Sequence, residues 1–173
     1  MKSTYMGWIL VAALSGCASA AKDTGPTDAQ IAAIVVTANQ VDVDAGKLAV
    51  STSRSKDVRS FASLMVTDHN AVNRSATALV QKLNVKPEPG AVSGQLQAAG
   101  DANLAKLKTL KGAAFDMAYV DNEVTYHEAV IDALDKTLIP SADNADLKAL
   151  LIKVRPAFVA HLTHAKHLQG QLK

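Results

Sequence analysis

The chain has 173 residues, of which 49% are apolar, 20% charged and 4% aromatic, and its formal net charge is +2. That is too apolar for disorder, large enough for one domain with a real core, and without the basic run that nucleic-acid binding needs. The single cysteine, Cys17, excludes an intramolecular disulfide and a cysteine-rich zinc module.

In chain order, Lys2 precedes an apolar run from Met6 to Leu14 that is too short to span a bilayer, which predicts a secretory signal over residues 1–16. The next residues, Leu14-Ser15-Gly16-Cys17, resemble the lipobox of bacterial lipoproteins, whose cysteine is lipidated and becomes the first mature residue. That resemblance implies a chain anchored to a membrane through Cys17, in the periplasm, and Ala18 rather than Asp in the next position suits the outer membrane. Ordinary secretion with cleavage after Ala18-Ser19-Ala20 is the other reading. Residues 17–26, with Ser19, Asp23, Gly25 and Pro26, read as a lipidated tether, and residues 27–173 as the folded domain.

The domain reads as helices throughout. Thr27 or Asp28 can cap a first helix with apolar positions Ile31, Ile34, Val35, Ala38, Ala45, Leu48 and Ala49, ending in the polar segment Ser51 to Ser55. A second runs from about Lys56 to Leu83 and is stopped by Pro87, Pro89 and Gly90. A shorter helix around Ser93 to Leu110 leads to Gly112, a third long one covers Ala113 to Leu138, and the last spans Ala142 to Leu172 with Pro156 expected to kink it. Four long helices with tight links inside each pair predict an all-α, ferritin-like four-helix bundle, with a short extra helix in the connection between the second and third. An up-down-up-down order with an excursion is the alternative to that crossover.

Stepping about 100 degrees per residue shows which polar groups share the apolar faces. Asp42 falls within the stripe of the first helix and His69 near the middle of the second; Asp116, Glu123 and His127 form a spine on the third, and His161 lies with Phe158 and Ala165 on the fourth. Asp68 is at an edge, His164 at a boundary, and His167 points outward. Asp42, His69, Glu123, His127 and His161 also lie near the midpoints of their helices, so helices aligned at their centres bring all five to one level.

Unpaired buried carboxylates are costly, so such a cluster needs mutual hydrogen bonds or a cation. Imidazole with carboxylate suits zinc, iron, copper, nickel or manganese. The Glu-x-x-His pairs of di-iron bundles are missing, since Glu123 and His127 are four apart, so one ion is expected. The proposed ligands are His69, Glu123, His127 and His161, with Asp42 a fifth or a group orienting an imidazole. In the alternative, the five are a structural network in which Asp42 pairs with a histidine or accepts from Tyr119 or Tyr126. A surface site from His161, His164 and His167 is a further arrangement.

The chain also resembles a family. Phe61-Ala62-Ser63-Leu64-Met65-Val66-Thr67-Asp68-His69, then Phe115-Asp116-Met117-Ala118-Tyr119-Val120 followed by His127, then Pro156 and His161-Leu162 are similar to the successive motifs of the bacterial domain of unknown function 4142. The resemblance covers roughly residues 27 to 172. It implies a secreted or lipidated, ferritin-like helical protein, often labelled an outer membrane protein, with Asp68, His69, Asp116, His127 and His161 at motif positions and Asp42 where relatives commonly carry Glu. No reaction comes with the family. The sequence thus leads to an envelope-anchored, non-catalytic bundle that binds a transition metal in storage, buffering or stress. A structural or interaction module, and a metal-dependent enzyme, are the alternatives; no HExxH or Ser/His/Asp pattern supports the enzyme.

Overall fold

The computed structural model describes residues 25–173; the signal segment, Cys17 and all but the end of the tether lie outside them. Among the described residues the chain is all-helical, without strands. α1 spans Asp28–Thr52, α2 Lys56–Lys82, α3 Ala91–Lys108 and α4 Gly112–Ala133; α4 runs on through a π-helical turn, Leu134–Leu138, into the short α5, Ile139–Ser141, before α6, Ala145–Leu172. None of these helices is long and apolar enough to cross a membrane.

Local chemistry sets the boundaries. At α1, Thr27 Oγ1 accepts from Gln30 N–H at 3.3 Å while Thr27 N–H donates to Gln30 Oε1 at 3.1 Å, so two orphan donors are satisfied together. Ser55 caps α2 in the ordinary way. Asn144 caps α6 through Asp146 N–H and Leu147 N–H, which is why α6 begins at Ala145 and not at the expected Ala142. The expected unbroken third helix likewise contains a π-helical turn, which ordinary helix-forming residues do not announce. α6 stays helical through Pro156.

Two apolar clusters show how the helices run. One joins Ala45 and Ala49 of α1 to Val58 and Phe61 of α2, Phe115 of α4 and Leu168 of α6. The other joins Ile31 and Ile34 to Ala76, Leu134 and Leu147. α1 and α6 therefore run one way, and α2 and α4 the other. The connection between α2 and α4 must travel the bundle's length, and α3 does so alongside α1, its 18 residues spanning about 27 Å. This is the crossover arrangement, not the up-down-up-down one. Two glycines permit the close packing: a Cβ on Gly100 would meet Val41 of α1 at 2.7 Å, and one on Gly46 would meet Val66 Cγ2 at 2.9 Å and the Ala62 carbonyl oxygen at 3.1 Å on α2. Between the two clusters lies a polar layer.

Candidate metal centre

The layer is built from the midpoints of four helices. α1 supplies Asn39 and Asp42, α2 His69, α4 Glu123 and His127, and α6 His161; all are buried, with Glu123 and His127 wholly inaccessible. The three imidazoles stand in a near-equilateral triangle, with ring centroids 5.5 Å apart for His69 and His127 and 5.4 Å for each of the other pairs. Phe158 stacks on His69 at 5.1 Å and closes one side.

Each imidazole is held by one nitrogen. His69 Nδ1–H donates to Asn39 Oδ1 at 2.7 Å, and the Asn39 amide is oriented by its own Nδ2–H bond to the Val35 carbonyl at 2.8 Å. His127 Nδ1–H donates to the Glu123 backbone carbonyl at 2.9 Å, and His161 Nε2–H to Asp68 Oδ2 at 2.9 Å. Since each acceptor is a carbonyl or carboxylate oxygen, the tautomers follow, and in the neutral rings the lone pairs sit on His69 Nε2, His127 Nε2 and His161 Nδ1. Those three nitrogens are all buried without a hydrogen-bond partner. Candidate donor atoms of the three histidines lie within 4.8 Å of one another, and so do those of Asp42, Glu123 and His127. All five expected ligands thus meet in two groups that share His127.

The carboxylates complete the donor set. Both oxygens of Asp42 and both of Glu123 are buried and lack hydrogen-bond partners. Asp42 Oδ2 approaches His69 Nε2 to 2.9 Å. A carboxylate oxygen and a ring nitrogen this close either share a proton or face a common cation; two ligands each about 2.1 Å from one ion at right angles stand about 3.0 Å apart. Glu123 Oε2 lies 3.5 Å from His127 Nδ1.

Electrostatics separates the two acids. Burial would raise Asp42, but the charges of His69 and His127 outweigh it and bring its pKa down to about 2. Burial and the neighbouring charge of Asp42 push the Glu123 carboxyl well above its ordinary range. Burial lowers His127 to about 4 and lowers His161 as well, so both present neutral, metal-competent rings at neutral pH.

The other candidates are placed apart or in different roles. Asn39 fixes one nitrogen of His69 and Asp68 one of His161, while Asp42 faces the other nitrogen of His69 at 2.9 Å. Nor does Asp42 accept from a tyrosine, since Tyr126 Oη–H donates to the Ala38 carbonyl at 2.7 Å and the buried Tyr119 hydroxyl has no partner. Asp116 is buried two turns before Glu123 and joins neither group. His164 is exposed with its ring against Phe61, and His167 is exposed near Gln171, so neither shares a site with the inward His161. Asn39 was missed as a member of the centre; the available signal was its position one turn before Asp42 on the same face.

The family model described as domain of unknown function (DUF4142) matches residues 13–168, and the chain belongs to that family. No curated protein and no solved structure matches it.

Proposed function

We propose that this member of the DUF4142 family binds one transition-metal ion in the polar layer and serves in metal storage, buffering or stress at the cell envelope, where a lipid on Cys17 anchors it. One observation carries the reading: each of three converging imidazoles has one nitrogen fixed by an oxygen and the other buried without a partner. Metal-bound histidines are held in this way, the outer hydrogen bond choosing the tautomer and aiming the lone pair. Asp42 and Glu123 add buried carboxylate oxygens without hydrogen-bond partners. Three nitrogens and two carboxylates suit zinc, iron, copper, nickel or manganese. Burial of every donor favours retention of an ion over rapid exchange.

The test is elemental analysis of the purified chain beside a His69→Ala/His161→Ala variant. Near-stoichiometric metal that the variant loses supports the centre. Absence of metal, with no thermal shift on adding any of the five ions, defeats it. A purely structural layer remains the second reading because the short Asp42–His69 contact also fits a buried ion pair with a protonated ring. Under that reading the double variant loses stability but no metal. Anchoring is tested separately by mass analysis of the mature N-terminus in the wild type and a Cys17→Ser variant.

A further inference from the structure

A cavity of about 270 Å³ adjoins the centre, and the metal-binding reading leaves it without a use. Val35 of α1, Val130 and Leu134 of α4 and its π-helical turn, and Val154 and Phe158 of α6 form its walls; Asn39 and His69 stand at its inner end. Toward the surface it shares Ile34, Val92 and Thr137 with a second hollow of about 500 Å³, which carries Gln30, Ser93, Lys136 and Ser141. An apolar chamber thus adjoins a hollow of mixed polarity.

Water has few partners in the inner chamber. The Asn39 amide already serves the Val35 carbonyl and His69, and the Tyr126 hydroxyl serves the Ala38 carbonyl. Apolar cavities of roughly 150 Å³ stay dry and take up benzene. The chamber here is nearly twice that size and partly open, and its apolar walls lack packing contacts where nothing fills it. An apolar body in the chamber with a polar end in the outer hollow restores them.

We propose that the two hollows form one binding site for a single-chain amphiphile, its alkyl tail in the inner chamber and its polar head in the outer hollow beside Gln30, Ser93 and Lys136. Lys136 is exposed and already paired with Asp132, so the head adds selectivity while the tail supplies the affinity. Each methylene buried multiplies affinity about fourfold, or about fifteenfold for two carbons, until the chamber is full. The inference does not depend on metal in the adjoining centre.

The experiment is calorimetric titration of the purified chain, with metal chelated, using hexanoate, octanoate, decanoate, decanol and naphthalene, and with methyl chemical shifts to locate the ligand. Expected are one site per chain, the fifteenfold step between hexanoate and octanoate, and shifts at Val130 and Val154. Ala133→Phe, which fills the chamber from its wall, should weaken decanoate at least tenfold. Lys136→Met, at an exposed position, should weaken decanoate but not decanol. Affinity that does not grow with chain length overturns the proposal, as do shifts at Val58 and Leu168 in the opposite cluster. Binding of naphthalene without any alkyl ligand does so too.

Discussion

The two helical pairs that furnish the centre are built differently. In the α1/α2 pair His69 finds everything within its own hairpin, its Nδ1–H fixed by Asn39 and its Nε2 against Asp42. In the α4/α6 pair His127 is fixed by backbone from the preceding turn, and His161 depends on Asp68, which belongs to α2. The acids differ as well: the Asp42 pKa is brought down to about 2, while burial and the charge of Asp42 push Glu123 well above its ordinary range. One hairpin carries the acid that loses its proton readily, the other the acid that holds it. Two carboxylates buried together are thus driven apart in pKa by their surroundings.

The largest effects come from breaking the α1/α2 half. Asp42 falls from an ordinary 3.8 to about 2 in the folded chain, so its contribution is fully present above pH 3.8 and is lost as pH falls toward 2. This is on the order of 2 kcal/mol, and Asp42→Asn should remove that segment from the urea-unfolding profile of the metal-free protein. Glu123 has the opposite sign: its raised pKa stabilises below about 4.5, and that stabilisation is lost as pH rises through the folded value. Asn39→Ala should lower metal affinity about ten- to a hundredfold in competition titrations. Asp68→Ala should fall at the low end of that range, since Asp68 is partly exposed and water can replace it.

Smaller effects sharpen the contrast. Gly46→Ala places a methyl against Val66 and the Ala62 carbonyl beside the Asp42–His69 contact and should destabilise by about 1 kcal/mol or more. Gly170→Ala on α6 meets nothing within 4 Å and should be neutral or slightly stabilising, by a few tenths of a kcal/mol at most. Thermal unfolding of the two variants separates the outcomes. At pH values below the raised folded pKa of Glu123, metal uptake by Glu123→Gln should release fewer protons than uptake by the wild type, read from calorimetry in buffers of different ionisation enthalpy. Lys82→Met, which removes only an exposed pair with Asp146, should leave the midpoint unchanged.

Much of this arrangement is legible in the sequence because helices convert spacing into direction. Asp42, His69, Glu123, His127 and His161 are inward on their own wheels and level on their own axes, and the short links inside each pair fix which helices are neighbours. The supporting groups are harder to read. Asn39 is one more polar residue in a broad stripe until His69 is seen to turn its Nδ1 toward it. Asp68 sits at an edge, where only the approach of α6 decides between solvent and His161. The cavity is still less visible, since a missing volume has no residue of its own.

The π-helical turn at Leu134–Leu138 acts as a phase adjuster. It takes one residue more than an α-helical turn would, which rotates everything downstream by about 100 degrees relative to an unbroken helix. Glu123 and His127 lie upstream and are indifferent to it, while the link to α6 is set by it. A single-residue deletion within this stretch would leave the upstream ligands where they are and swing α5 and the entry to α6 around the bundle. That would carry the N–H groups of Asp143 and Asn144 away from Asp28. The chain's tolerance for length changes here is thus a question of angle before it is one of volume.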